Sequence, residues 1–181
     1  MAATPRNYWM LAVAPDYFDV VRQRDFGVLG LTRAHKKRVQ RMEPGDRVLY
    51  FVTGKLVFPA TATIVAPYTE DDTPLFPPGF GGELYTYRVK TKPNQVLDDD
   101  HQIDARLIAP RMDHARKWPP ELWPLAFEGL LHLVPKTDFL LLESEIKRAR
   151  RARRQEHPLG RFEPGGEDFA CEFDRQAARV Y

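Results

Sequence analysis

Five basic residues lie within the nine-residue stretch RAHKKRVQR, where they could contact phosphate groups. Lys and Arg neutralise the phosphates of a nucleic-acid backbone, and the local density of these cations matters more than a net charge of only +2. The candidates for contacts with phosphate groups, with the histidine among them, are Arg33, His35, Lys36, Lys37, Arg38 and Arg41.

A second basic cluster has six Lys and Arg residues between Lys147 and Arg154. It lies near the end of a predicted helix, where cations also complement the helix dipole. Backbone contact and a solvated helix surface therefore both remain possible interpretations.

The stretch RDFGVLGLT combines two glycines with three large apolar residues, Val28, Leu29 and Leu31. Loops usually run over the surface, so a loop with several large apolar side chains either fills the core or lines a cavity. The two glycines favour the interpretation that the loop lines a cavity, because a residue without Cβ lets another backbone or a ligand approach closely.

Residues for catalysis, metal or cofactor binding show no specific spacing. The chain has no P-loop, dinucleotide-binding, zincin or nucleophile-elbow motif. Its five histidines are scattered, and Cys171 is the only cysteine. We therefore expect no metal ligand, no cofactor and no catalytic set.

Composition indicates a globular domain with an extension. Of 181 residues, 43% are hydrophobic and 12% aromatic, which is enough for a sizeable core. No segment reaches the roughly 18 apolar residues of a membrane span, and the N-terminus lacks the pattern of a signal peptide. The expectation is a soluble cytoplasmic protein without membrane contact.

Apolar patterning predicts the elements that would position these residues. Strands are expected at about residues 7–13, 46–53, 57–66 and 84–92. Helices are expected over PDYFDVVRQR, over RAHKKRVQRM with Thr32 as N-cap, and over TDFLLLESEIKRARRARRQE with Thr137 as N-cap and Asp138 in the first turn.

This order of elements predicts an α+β fold with a small curved sheet or open barrel and helices packed at its ends. We place the domain at residues 1–155. Residues 156–181, rich in Gly, Pro and charge but holding three phenylalanines, would be a flexible extension or an arm that docks on the body or on a second copy in a homodimer.

Five segments occur in the order and near the spacing of an EVE domain, a PUA-like module that is similar to the YTH domain. They are YWMLAVAPDYFDVV, GVLGL, RVQRMEPGDRVLYFV, ATATIVAPYTEDDTPLFP and YTYRVKTKP. The resemblance covers about residues 7 to 145, and the PGD turn before an aromatic strand is its most specific element. It implies a strongly bent β-barrel with flanking helices, a module that recognises modified bases in DNA or RNA, and contacts between the basic candidates in RAHKKRVQR and the nucleic-acid backbone.

The resemblance also implies a base pocket beside the first strand. Phe76 and Phe80 would stack on the base, Asp16 and Asp19 would accept hydrogen bonds from an exocyclic amine, and the backbone of Leu29 and Gly30 would bind a polar edge. Leu29 stands where the related GVW motif has tryptophan, and leucine offers contact area without a π face. The implied pocket residues are Val13, Ala14, Pro15, Asp16, Asp19, Val28, Leu29, Gly30, Phe76 and Phe80.

Other interpretations remain open beside this one. From the residues alone, Phe76 and Phe80 could belong to the core. The related ASCH domains suggest a small hydrolase acting on a modified nucleoside, for which Thr32, Lys36 or Lys37, and Asp16 could supply the chemistry. A small-molecule-binding module is a further alternative. The preferred hypothesis is a non-enzymatic module whose partner is nucleic acid carrying a modified base.

Overall fold

The computed structural model describes residues 7–79 and 82–156, with side chains as far as residue 152. The strands are β1 (Tyr8–Val13), β2 (Val28–Leu31), β3 (Arg47–Val52), β4 (Val57–Ile64), β5 (Thr69–Glu70), β6 (Tyr87–Val96), β7 (Ile103–Asp104) and β8 (Leu131–Leu133). The α-helices are α1 (Pro15–Gln23), α2 (Lys36–Val39), α3 (Ala105–Ile108) and α4 (Lys136–Glu156). Short 3-10 segments cover Arg33–His35, Asp99–His101, Ala109–Arg111 and Pro120–Phe127.

These strands form one mixed sheet in the order β2-β6-β4-β3-β1-β8, with β5 paired to β6 and β7 to β4. Strands β1 and β3 run parallel, and the other pairs are antiparallel. The sheet is strongly curled into a half-barrel with helices packed on it, which confirms the predicted α+β fold class.

Strand β1 explains why both faces of the sheet are covered. Alternate side chains of a strand point to opposite faces. Trp9 and Leu11 enter the cluster inside the curl with α1, whereas Met10 enters a second cluster with Phe139 and Ile146 of α4 on the outer face. Burial on both faces accounts for the continuous apolar run YWMLAV.

The PGD turn is tied to the first strand by Asp46. Gly45 has φ 98°, a conformation that glycine adopts without strain. The buried Asp46 carboxylate accepts hydrogen bonds from Trp9 Nε1 at 3.0 Å and from the Asn7 backbone N–H at 3.0 Å. The turn that carries the resemblance is thus also a structural anchor, and Trp9 is a core residue.

Two strands differ from the prediction. The stretch GVLGL is a strand, β2, rather than a loop, because its backbone pairs with β6 from Val28↔Lys90 to Leu31↔Tyr87. Strand β6 begins at Tyr87 rather than at about residue 84, and it runs further than predicted, to Val96, because a register shift near Pro93 lets pairing with β4 continue.

Thr32 occupies the predicted N-cap position, before the Arg33–His35 segment, whereas the N-cap predicted at Thr137 is wrong. No side-chain capping bond comes from Thr32, whose Oγ1 lies 3.0 Å from His35 Nδ1, and the predicted helix is a 3-10 turn followed by the four residues of α2. Helix α4 begins at Lys136, so Thr137 lies within it. The Asp138 carboxylate accepts from the backbone N–H groups of Asp113 and His114 instead.

Some predictions fall where the structure gives no description. Phe80 and nearly all of the predicted C-terminal extension, with the homodimer contact attributed to it, lie outside the described residues. Among the helices that are described, none is long and apolar enough to cross a membrane.

Candidate functional site

Three aromatic rings meet over a glycine where β2 approaches the start of α1, and we call Tyr17, Phe76 and Tyr85 the aromatic cluster. Phe76 stacks on Tyr17, with ring centroids 4.3 Å apart and planes 12° apart, and Tyr85 packs edge-on at 5.6 Å from Phe76. A Cβ on Gly30 would lie 2.6 Å from the Phe76 ring. The rings therefore use the space that glycine leaves open.

Tyr17 fixes Gly30 through both backbone groups. The Gly30 N–H donates to the Tyr17 hydroxyl at 2.7 Å, and that hydroxyl donates to the Gly30 carbonyl at 2.8 Å. Burial raises the pKa of Tyr17 well above its usual value, although the Gly30 bond opposes this shift, so the phenol stays neutral. The free backbone groups predicted at Gly30 are thus already occupied.

Arg88 holds the segment that carries Phe76. Its guanidinium donates to the carbonyl of Thr73 at 2.6 Å and to the carbonyl of Tyr85, and lies 5.2 Å from the Phe76 ring centroid. Burial lowers the pKa of Arg88, with the Asp71 charge opposing the shift. One buried cation therefore joins both ends of the segment 73–85 to β6.

A cavity of about 480 Å³ is lined by both chain neighbours of Tyr85, and we call it the loop cavity. Its lining combines two carboxylates, one guanidinium, one half-exposed aliphatic side chain and one buried hydroxyl: Arg33, Asp72, Glu83, Leu84 and Thr86. Leu84 and Thr86 flank Tyr85 in the chain, while Tyr85 itself is not among the residues that line the cavity. Its volume falls within the range of small-ligand pockets, roughly 300–1,000 Å³.

The pKa of Tyr85 responds to burial, to the charge of the predicted pocket residue Asp16 and to that of the cavity residue Glu83. Burial raises the pKa of Tyr85, and the negative charges of Asp16 and Glu83 raise it further. The Tyr85 hydroxyl therefore remains protonated and can donate a hydrogen bond. Asp16 is itself exposed, and its Oδ1 accepts the backbone N–H of Tyr17 at 2.8 Å.

The first basic cluster lines a neighbouring surface depression of about 590 Å³, the basic cavity, which shares Arg33 with the loop cavity. Its lining residues are Arg33, Ala34, His35, Lys36, Lys37 and Arg38. Arg33 pairs with Asp72 at 3.3 Å, with both side chains exposed. Burial and the Arg38 charge lower the pKa of His35, with Glu83 opposing them, so His35 is mainly neutral near pH 7.

Six of the predicted pocket residues separate into two groups. Ala14 and Pro15 lie at the exposed start of α1 beside Asp16, and Asp19 is exposed one turn further on. Val13 and Leu29 are buried inside the curl, so neither side chain lines the loop cavity.

Three more predicted residues have other surroundings than expected. Val28 is only partly buried, and it packs against the core inside the curl. Phe76 is 5% exposed and covered by Tyr17, so it backs the cluster rather than presenting an open face. Arg41 is exposed but does not line the basic cavity.

Sequence reasoning missed Tyr17, Tyr85 and Arg88. An arginine inside the alternating stretch YTYRV was the available signal, since a buried cation in a strand must bind nearby acceptors. Asp72 and Glu83 gave no signal, because acids in a polar segment usually face solvent.

Among the described side chains, no hydrogen bond or ion pair joins the residues proposed for a hydrolase to one another. Thr32 is buried and contacts His35, while Lys36 and Lys37 are exposed on α2. Within residues 7–79 and 82–156, no three His, Cys, Asp or Glu side chains are grouped as a metal site.

Fold and sequence comparisons define the class. The chain is similar in structure to the YTH domain of Zygosaccharomyces rouxii MRB1 protein, in complex with N6-methyladenosine RNA, with a TM-score of 0.56 at 16% identity, over 81% of this chain and 92% of that one. A second YTH domain, in complex with m6A, gives 0.57 at 14% identity, over 81% and 88%. At such identities the likeness concerns the fold.

The family follows from the sequence itself. Residues 7–117 match the EVE domain, and the chain belongs to that family. A UPF0310 protein of Pyrococcus abyssi is 26% identical over 149 residues, which is 76% of this chain and 98% of the relative. The predicted EVE and YTH-like resemblance is confirmed.

Proposed function

We propose that this protein is a non-enzymatic module that binds a modified nucleobase in single-stranded nucleic acid. The observation that carries the proposal is the loop cavity, which shares Arg33 with the basic cavity and is lined by both chain neighbours of Tyr85, a member of the aromatic cluster. A base reader needs a flat apolar surface, a few polar groups for the base edge, and cations for the flanking phosphates.

In this proposal the base enters the loop cavity and packs against Tyr85 and Leu84. Glu83 and Asp72 accept hydrogen bonds from an exocyclic amine, and the protonated hydroxyl of Tyr85 donates one to a carbonyl or ring nitrogen. The exposed Arg33–Asp72 pair can open for a ligand, since exposed ion pairs contribute little stability.

Phe76 has a supporting role rather than the direct one predicted from the sequence. Stacked on Tyr17 and lying above Gly30, it fixes the position of Tyr85 through their edge contact. A preorganised ring costs less entropy to bind against than a mobile one. Loss of Phe76 would thus weaken binding through Tyr85.

The similarity in fold to YTH domains supports a modified base as the class of ligand. Those proteins are complexes with N6-methyladenosine RNA, or with m6A. We extend to this chain only the class, a modified base, and leave the modification and the sugar to the experiment.

A binding panel tests the proposal. The full chain is titrated with single-stranded DNA and RNA oligonucleotides of one sequence, unmodified or carrying one N6-methyladenine, 5-methylcytosine or 5-hydroxymethylcytosine. We expect one modification to bind more tightly than its unmodified counterpart. Tyr85→Ala should remove most of that preference, because base stacking contributes about 1–3 kcal/mol.

Trp118→Ala is the matched control, since Trp118 is an exposed aromatic residue that lines neither cavity. It should leave the preference unchanged. Equal affinity for every oligonucleotide of the panel would contradict the proposal. Conversion of a modified nucleoside by the protein, followed by chromatography, would instead support the hydrolase alternative.

A further inference from the structure

A second group of cations lies on the outer face of the sheet, in a groove between β6 and α4. Gln95, Lys147, Arg150 and Arg151 line a depression of about 290 Å³ there, and we call it the α4 groove. Arg150 Nη1 donates to Gln95 Oε1 at 2.9 Å, so the helix and the strand are joined at this point.

The acids of α4 do not neutralise this groove. Glu143 is shared between Lys147, at 3.0 Å, and Arg47. Burial alone would raise the pKa of Glu143, but Lys147 and Arg47 hold it below its usual value. One carboxylate is thus shared by two cations, and the net charge of the three groups remains positive.

Glu145 is engaged elsewhere on the helix. It binds Arg111 at 3.0 Å and lies 3.6 Å from Arg148. Among the side chains described up to residue 152, neither Arg150 nor Arg151 has a carboxylate partner. Within that part of the chain, Arg150 and Arg151 therefore present guanidinium groups that no carboxylate neutralises.

Strand β6 connects this groove with the aromatic cluster along one face. Directly opposed residues of antiparallel strands share a face. Lys92 opposes Thr63 and Gln95 opposes Thr61, and the two threonines are two residues apart on β4, so Lys92 and Gln95 lie on the same face despite the register shift.

The other end of this face reaches the aromatic cluster. Lys90 precedes Lys92 by two residues and is also exposed, and Arg88, two residues earlier, contacts the Phe76 ring. Arg88 and Gln95 are seven residues apart on β6, which corresponds to about 23 Å of extended strand. Cations thus mark a route from the cluster to α4.

We propose that the α4 groove binds a backbone phosphate of the same nucleic-acid strand, several nucleotides away from the base held in the loop cavity. The inference rests on the proposed function, because the base determines where the strand begins its path along Lys90 and Lys92. Arginine suits this role, since its planar fork binds phosphate oxygens in pairs.

The test compares two lengths of the modified single-stranded oligonucleotide that binds best in the panel, about four and about twelve nucleotides long, with the modified base near one end. The double variant Arg150→Gln/Arg151→Gln should bind the short probe as the unaltered protein does, and bind the long probe about fivefold more weakly. Its salt dependence on the long probe should fall by about 0.7 in log–log slope for each phosphate that the variant no longer neutralises.

Arg106→Gln/Arg116→Gln is the matched control. It removes the same charge from two exposed arginines that line none of the cavities described above. If the two double variants weaken binding of the long probe equally, the proposal that the α4 groove binds a phosphate is overturned, because the effect would then come from net charge.

The remaining outcomes separate the two proposals. Unchanged binding of the long probe by Arg150→Gln/Arg151→Gln, with the preference for the modified base retained, overturns the α4 groove and leaves the proposed function standing. Equal losses on both lengths also overturn it, because they indicate a general structural defect, which a urea titration would register. If the unaltered protein prefers no modified base, the proposed function is wrong, and the proposal that the α4 groove binds a phosphate fails as well.

Discussion

The hydroxyl of Tyr17 lies 2.7 Å from the backbone nitrogen of Gly30 and 2.8 Å from its carbonyl oxygen. Gly30 belongs to β2 at one end of the sheet order, whereas Tyr17 follows β1, which lies next to the other end. Curling of the sheet brings the two residues together. This contact therefore closes the half-barrel where the aromatic cluster forms.

Tyr17→Phe should destabilise the protein while keeping the ring stack. Without the hydroxyl, the N–H and C=O of Gly30 stay buried and unpaired, which costs about 1–3 kcal/mol. Tyr50→Phe is the control, because the Tyr50 hydroxyl is buried near Thr91 without a hydrogen bond of normal geometry. Urea unfolding should show a clear loss for Tyr17→Phe and almost none for Tyr50→Phe, and equal losses would contradict the bridging role.

Gly30→Ala should also destabilise the protein, because it adds a methyl group to the packed site where Gly30 meets the aromatic cluster. The new Cβ would lie 2.6 Å from the Phe76 ring and 2.9 Å from Tyr85 Cβ, so both residues must shift. Forcing extra volume into a packed site costs about 1–3 kcal/mol. At Gly79 the nearest atom would be 3.4 Å away, an ordinary contact. A thermal melt should therefore separate Gly30→Ala from Gly79→Ala, and similar melting temperatures would show that Phe76 yields easily.

Much of the fold could be predicted because the strands carry their own pattern. The run YWMLAV and the PGD turn place β1 and β3 correctly, since burial on both faces and a tight turn leave few alternatives. The strand nature of GVLGL could not be predicted from a local pattern, because its pairing partner β6 lies about sixty residues later in the chain.

The candidate site was less predictable because tertiary contacts decide which groups remain free. Phe76 was expected to face a ligand, but Tyr17 covers it, and nothing in the sequence between them reports that contact. Leu29 and Gly30 alternate across the strand, and it is at Gly30 that the Phe76 ring and Tyr85 come close to the backbone. The basic cluster was easier to place, since long charged side chains remain at the surface.

Arg88→Lys should loosen the segment 73–85. A lysine keeps the charge but lacks the fork that reaches both Thr73 and Tyr85. We expect chymotrypsin to cleave within this segment about tenfold faster, because the loss of charge-assisted hydrogen bonds lowers the free energy of local opening. Arg106→Lys, which alters only an exposed pair with Asp104, should not change the rate. Unaltered cleavage of Arg88→Lys would mean that other contacts hold the segment.

The double variant Lys36→Ala/Lys37→Ala should weaken oligonucleotide binding across sequences. Both side chains line the basic cavity and are exposed, so the change should spare folding. The log–log dependence of affinity on salt should become shallower by about 0.7 for each phosphate of a single strand that is no longer neutralised. Lys117→Ala/Lys136→Ala changes the charge equally at exposed sites elsewhere, and its slope should match that of the unaltered protein. If the two slopes coincide, Lys36 and Lys37 bind no phosphate.

Stability should decrease below about pH 6.5 partly because of His132. Burial lowers the pKa of His132, and the charges of His114, Arg38 and His35 add to this effect, while the bond to the Gly129 carbonyl opposes it. The unfolded chain therefore takes up more protons than the folded one as pH falls through the unfolded pKa. The stabilisation is complete above that value and is lost progressively toward the lower pKa of the folded state.

His132→Gln should flatten this pH dependence. Gln carries no titratable group and can still donate to the Gly129 carbonyl, which His132 Nε2 approaches at 3.0 Å. The free energy of unfolding, measured in urea at pH 7.5 and pH 5.5, should differ less in His132→Gln than in the unaltered protein. His101→Gln, placed in the Asp99–His101 turn, provides the comparison for loss of a histidine elsewhere. A pH difference that His132→Gln leaves intact would assign the effect to other groups, with His35 next in line because its pKa is also lowered by burial.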